Sequence, residues 1–443
     1  MIRCDIAYTK QLTIGILYYT NVDISDIERF NEWWATGDVR NAMAPRYRRR
    51  PFDAALKALD YRQAVVLTGL RRVGKSTILY QLIKTLLQGV DRKKVLYFSF
   101  EEGGLSAKDV IEAYEREVLK KPLDEAGRVY LFLDEVQYSA DWIPVVKRFY
   151  DLYPNVKFYL SGSSSLLISD RTVASLAGRF FFVEVHPMTF REFVEMKGIA
   201  GGEGTHPSGR LEPLFFDYLT KAGFPEIVDW EDGNKIAEYV TNSVLDRVIL
   251  RDVPALYGSR DPLLRGRLLR SLVSSAGSMA NVNELSREFG ASRITVSRYL
   301  WSLESSFLLR SLSNYRVSSR SSSRKLKKYY PSTTSIIYAT SRDAYERNRG
   351  ALLETYVVNA LKATHYYRKS GREIDVLLGG GKVAVEIKEK PDERDALRLL
   401  KVAGEVGAGA SYIVSMSETA RWDGVEVVPA YSLEWVLGPS TAS

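Results

Sequence analysis

The sequence predicts an α/β protein whose main body is a parallel sheet with helices on both faces, and three observations carry that expectation. Apolar runs at 64–68, 95–100, 129–133, 157–160 and 180–185 alternate with helical patterns between positions 51 and 193, the rhythm of crossover-connected strands. The first run enters a glycine-rich turn that opens an apolar-periodic helix (Ile78, Leu79, Leu82, Ile83, Leu86). The third run is apolar throughout and ends in two acids, Asp134 and Glu135.

The chain has 443 residues, room for several domains, and is 45% hydrophobic and 26% charged, an ordinary globular composition. Its longest apolar stretch, 12–19, is too short to span a bilayer and suits a buried strand. The single Cys4 allows no internal disulfide and points to a reducing, cytoplasmic setting. With three His and one Cys, a zinc site would need carboxylates for most of its ligands. Net charge is +8, concentrated at 46–50 and in an acid-free, serine-rich run at 316–328. Such a run is either a solvated loop or a surface for nucleic acid. In the N-terminal extension, 1–44, the patch 24–34 carries Phe30, Trp33 and Trp34, which should dock on the next domain.

The turn after the first strand reads Gly69-Leu70-Arg71-Arg72-Val73-Gly74-Lys75-Ser76, followed by Thr77, and fits G-x-x-x-x-G-K-[ST]. Glycines there let successive backbone N–H groups face a phosphate, and the helix N-terminus adds its dipole. Lys75 would reach the outer phosphates of ATP and Ser76 would ligate magnesium. Asp134, at the tip of an adjacent buried strand, would hold that magnesium, while Glu135 orients and deprotonates the attacking water. Ser161 or Ser163, after the next strand, could sense the terminal phosphate. Arg179 could stabilise its charge, in its own site or a neighbour's.

These strings, with Leu133-Asp-Glu-Val-Gln137, Ser161-Gly-Ser-Ser-Ser165, Ala177-Gly-Arg179, His186-Pro-Met-Thr-Phe190-Arg-Glu-Phe193 and Tyr218-Leu-Thr-Lys-Ala-Gly-Phe-Pro-Glu226, resemble predicted archaeal and bacterial AAA-superfamily ATPases. The resemblance runs from about 45 to 390. It implies a P-loop NTPase core at 45–200, and members often carry a C-terminal domain related to restriction endonucleases. A helical lid is expected at 210–265, past a linker at 198–209 rich in Gly, Glu, Pro and Ser.

Within 266–330, Asn281 to Gly290 reads as a capped helix, and Ser292 caps a second helix with Ile294, Val296, Tyr299, Leu300 and Leu303 as its core stripe. Arg293, Thr295, Ser297 and Arg298 would face outward as a recognition helix, with 316–328 as a basic wing. This winged helix-turn-helix points to DNA, although the same fold also serves as a lid or protein-contact module.

The remainder, 345–438, contains two strands around Gly379-Gly-Gly-Lys382. Pairing Leu378 with Val383 sets Asp375 across from Glu386 on one face, about 5 Å apart, where they repel unless a cation intervenes. Glu373 falls across from Lys388. The Asp375…Glu386-x-Lys388 arrangement, with Glu354 on a preceding helix, resembles the PD-(D/E)xK nuclease core, though no proline precedes Asp375. The resemblance implies a second Mg2+ or Mn2+ on Glu354, Asp375 and Glu386, with Lys388 stabilising the attacked phosphate. The alternative is a surface hairpin with an ordinary Glu373–Lys388 pair. The full expectation is therefore an ATP- and Mg2+-dependent ATPase whose nucleotide state acts on DNA. Its rival is a nucleotide-gated scaffold with an inactive nuclease-like module and a protein partner. Whether it is a monomer or a homo-oligomer stays open.

Overall fold

The computed structural model describes residues 22–102, 104–163, 178–199, 211–254, 261–316 and 326–438. The apolar stretch 12–19, Cys4, most of the linker, and Arg320, Arg324 and Lys325 lie outside the described residues.

Five strands build the expected parallel sheet: β1 (Ala64–Thr68), β2 (Val95–Ser99), β3 (Val129–Asp134), β4 (Val156–Gly162) and β5 (Phe180–Glu184). Their order is β2-β3-β4-β1-β5, every pairing parallel. β1, β3 and β4 are buried along their whole length, as strands covered on both faces must be. One detail differs from expectation: β4 stands between the P-loop strand and the acid-bearing β3, so their tips are next-nearest neighbours. The N-terminal patch covers the free edge of β2. Asn31 accepts from the Tyr97 N–H (2.7 Å) and donates to its carbonyl (2.8 Å), while both Trp33 and Trp34 donate to the Val95 carbonyl. Side chains thus satisfy an edge that would otherwise template aggregation.

The segment expected to form a lid is helical, beginning with Leu211–Lys221 and continuing through Gly233–Tyr239 to a turn at Val248–Asp252. Beyond it, helices Pro262–Ser274, Val282–Glu288 and Arg293–Ser305 lead into strands that share a second sheet with the C-terminal segment. That sheet holds β6 (Met279–Ala280), β7 (Leu309–Asn314), β8 (Lys327–Pro331), β9 (His365–Lys369), β10 (Arg372–Leu378), β11 (Val383–Ile387), β12 (Ala410–Ser415), β13 (Ala420–Trp422) and β14 (Val425–Pro429). Its order is β13-β14-β12-β11-β10-β9-β7-β8-β6, joined across the two segments by the parallel pair β7–β9. Segments 266–330 and 345–438 therefore share one sheet.

The same region grips the lid and the first sheet. Thr333 and Ser335 donate to the Ala222 carbonyl and Thr334 to that of Leu219, capping the C-terminal end of Leu211–Lys221. Glu434 accepts from the N–H groups of Phe190 (2.9 Å) and Arg191 (3.1 Å), capping the helix Phe190–Met196.

Candidate nucleotide site

The P-loop bridges the end of β1 and the helix Lys75–Leu86, capped by Gly74 in the left-handed region (φ 94°). Gly69 is required by crowding: a Cβ there would lie 2.2 Å from the Val185 carbonyl oxygen. Lys75 is buried and donates to the carbonyls of Gly69 (3.1 Å) and Leu70 (3.0 Å). Burial pulls its pKa down, against the pull of Glu135 and Asp134. Among the described residues that ammonium makes no direct ion pair; it rests on the two loop carbonyls. Ser76 and Thr77 follow in the first turn of the helix.

Asp134 ends β3 and is held on both oxygens. Oδ2 accepts from the Tyr97 hydroxyl (2.7 Å), and Oδ1 from the Ser161 hydroxyl and the Glu135 N–H. Glu135 sits in the left-handed region (φ 51°), a strained setting for a non-glycine residue and one typical of functional sites. Burial pushes its carboxyl up, while Lys75 opposes the shift. Gln137 donates to Glu135 and to Ser163, whose hydroxyl in turn donates to Asp252 of the lid (3.2 Å). Ser161 therefore positions Asp134, and Ser163 links β4 to the lid. With the hydroxyl of Ser76 and the carboxylate of Asp134, the hard-oxygen donor set fits a magnesium ion.

The two P-loop arginines behave differently. Arg72 (φ 67°) is exposed and pairs with Glu226 of the lid at 3.4 Å. Arg71 is buried, contacts Glu101, and lies 3.7 Å from Asp252. The carbonyl of Val73 accepts from Arg49 (2.6 Å), which also pairs with Glu192. Arg49 was one of four arginines in the 46–50 run, and its burial was invisible there. Asp252, Glu101, Tyr97 and Arg49 all escaped the sequence reading, because nothing local distinguishes them from surface polar residues.

Arg179 corrects the sequence expectation for a residue acting in its own site. It precedes β5, its carbonyl bonds to Ala64 at the start of β1, and its guanidinium pairs with exposed Asp151 at 2.8 Å. That is the opposite end of the parallel sheet from the P-loop, so Arg179 cannot reach this chain's own nucleotide.

The second cluster also needs correction. The strands pair as expected, Val376 with Val385 and Leu378 with Val383. However, Lys328 of β8 fills the cluster: its ammonium lies 2.6 Å from Glu373, 3.2 Å from Glu354 and 3.8 Å from Asp375. Burial works against that charge, but Glu354, Asp375 and Glu373 outweigh it and hold its pKa above the usual lysine value. Tyr330 also donates to Glu354 (2.6 Å), Asp375 accepts from the Ile387 N–H (2.9 Å), and Glu386 turns to Lys388 (2.9 Å). Among the described residues no three acid, His or Cys side chains are arranged to hold a metal. The expected set of Glu354, Asp375 and Glu386 is thus brought to one region but not assembled as ligands. Nor does Glu373 pair with Lys388.

Two further points differ from the sequence reading. Ile294, expected in the core stripe, is 74% exposed, whereas Val296, Tyr299, Leu300 and Leu303 are buried. Of the basic run, Lys327 pairs with Glu304 (3.1 Å) and Lys328 is internal, so neither joins an outward patch.

A five-stranded parallel sheet with a P-loop after its fourth-placed strand and an acid pair two strands away defines a P-loop NTPase core. Residues 61–194 match the family described as an AAA domain, and residues 212–347 match a domain of unknown function (DUF8612) that runs from the lid into the second sheet. An uncharacterized protein of Haemophilus influenzae is 25% identical over 392 residues, covering 84% of this chain and 94% of its own length. One of Methanocaldococcus jannaschii is 27% identical over 351 residues, covering 74% and 76%. The solved Walker-type ATPase of Pyrococcus abyssi covers 69% of this chain and 99% of its own at 16% identity, with a TM-score of 0.40, too distant to bear on function. Among the described residues no helix is long and apolar enough to cross a membrane.

Proposed function

We propose that this chain binds Mg-ATP, hydrolyses it, and transmits its nucleotide state through the lid to a DNA-contacting module. The observation that carries the reading is the convergence of Lys75, Asp134 and Glu135 at the end of one sheet, with Lys75 hydrogen-bonded to two replaceable loop carbonyls. Bound magnesium would neutralise charge on the phosphate oxygens. Glu135 accepts a proton from water; the water oxygen bonds to the γ phosphorus as the β–γ bridging P–O bond breaks, releasing ADP and phosphate. The helices Val282–Glu288 and Arg293–Ser305 followed by the β7–β8 hairpin have the order of a winged helix-turn-helix. Arg293, Ser297 and Arg298 are exposed on its second helix beside Ile294, a surface suited to phosphates and base edges.

One observation favours a second reading for the C-terminal segment. Because Lys328 already occupies the space between Glu354, Glu373 and Asp375, the nuclease-like module serves as scaffold, with cleavage dependent on Lys328 leaving. Glu135→Gln tests the main reading. It should slow hydrolysis by about 100-fold or more, retain ATP, and tighten binding to a labelled duplex. Unchanged turnover would remove Glu135 as the base, and unchanged DNA affinity would favour a protein partner.

A further inference from the structure

With Arg179 at the wrong end of the sheet, the nucleotide site needs another source of positive charge opposite Lys75. Arg71 reaches across the site from the P-loop. Its guanidinium contacts Glu101, just past the end of β2, and lies 3.7 Å from Asp252. Asp252 in turn accepts from Tyr138, just past β3, and from Ser163, just past β4. These three anchors put the guanidinium over the C-terminal ends of β2, β3 and β4, the side on which Asp134 and Glu135 face the P-loop. Its charge is felt by both Lys75 and Glu135.

That guanidinium is incompletely satisfied. Arg71 is 6% exposed, and its Nε and Nη1 groups are buried with no hydrogen-bond partner among the described residues. A buried donor left without a hydrogen bond is costly to the fold. Nε has no partner among the described residues and Nη1 reaches Asp252 only at ion-pair distance, 3.7 Å, so in a site that a phosphate should enter they mark an acceptor position that the protein itself leaves open. The exposed Arg72, by contrast, is 44% accessible and pairs with the lid outside the site.

We infer that Arg71 is a catalytic residue of this chain, donating from its own P-loop to the terminal phosphate as negative charge develops there, and that Asp252 of the lid positions it. The inference rests on the ATPase reading. It makes the site self-sufficient in arginine, with no neighbour needed to supply one, and it ties lid position to chemistry. When the lid is seated, Asp252 aligns the planar fork; when the lid swings away, Arg71 loses that anchor. Lysine cannot substitute, because it lacks the fixed fork of donors.

The test compares wild type, Arg71→Gln, Arg71→Lys, Asp252→Asn and the double variant Arg71→Gln/Asp252→Asn. Turnover of Mg-ATP is measured beside calorimetric affinity for a non-hydrolysable ATP analogue. Expected are a fall in kcat of about 100-fold for both Arg71 variants, analogue affinity within about tenfold of wild type, and a smaller fall in kcat for Asp252→Asn. The double variant should be no faster than Arg71→Gln. If it recovers wild-type kcat, Arg71 merely neutralises Asp252 and the inference is overturned. It is overturned equally if affinity collapses while kcat holds. Should Arg71→Gln fail to fold, Arg71→Lys, which keeps the charge, carries the same comparison. A wild type without turnover would sink the ATPase reading and this inference with it, whereas active wild type with equally active Arg71 variants sinks the inference alone.

Discussion

Two clusters in this molecule bring buried carboxylates up to a lysine, and they use it in opposite ways. At the end of β3, Asp134 and Glu135 face Lys75, but each group is held by neutral partners: Lys75 by two carbonyls, Asp134 by Tyr97, Ser161 and a backbone N–H. At β10 and β11, Lys328 is bonded directly to Glu354 and Glu373, with Asp375 close by. The first cluster keeps its charges apart and available to a ligand. The second spends them on one another. Similar residue types thus give a site in one place and a cross-link in the other, and the difference lies in which element delivers the cation.

The comparison can be broken most directly at Lys328. Removing one partner from a buried ion pair strands the others, so Lys328→Met should destabilise the chain by about 3–5 kcal/mol. Denaturant unfolding measures the loss. Manganese should restore part of it, since three freed carboxylates would then have room for a divalent cation. Restoration without added metal, or no loss at all, would show that the cluster does not depend on Lys328.

A smaller, pH-dependent effect is expected at Asp375. Burial, with Glu386 and Glu354 nearby, pushes its carboxyl up to about 8 from an ordinary 3.8. The folded chain then holds that proton more tightly than the unfolded chain, so this group's contribution to stability falls as pH rises between those values and is flat above them. Asp375→Asn should therefore gain in melting temperature relative to wild type between pH 5 and pH 8. A gap that stays constant across that window would mean that Lys328 keeps Asp375 ionised throughout.

The contrast also explains what could be read from the sequence. All five strands of the first sheet lay within a residue or two of their expected places, because each is an apolar run with its own boundaries, fully buried in β1, β3 and β4. The P-loop and the acid pair were legible for the same reason: their chemistry is local, strand to turn to helix. The β10–β11 register was legible too, since a glycine turn specifies it. What was not legible came from other parts of the chain. Lys328 looked like one more member of a solvated basic run, and only the β8 pairing carries it under Glu354. Asp252 had no motif, and only the packing of the lid brings it to Arg71. Ile294 had helical spacing appropriate to the core, but its place in the first turn leaves it on the outer face.

The measurement closest to the central claim is a calorimetric titration of the full chain with Mg-ATP, beside Lys75→Ala and a magnesium-free control. One nucleotide should bind per wild-type chain, weakened by roughly 100-fold or more in Lys75→Ala and reduced when magnesium is withheld. Binding that is absent in wild type, or equal in wild type and Lys75→Ala, would contradict the assignment of this loop and its facing acids as the nucleotide site.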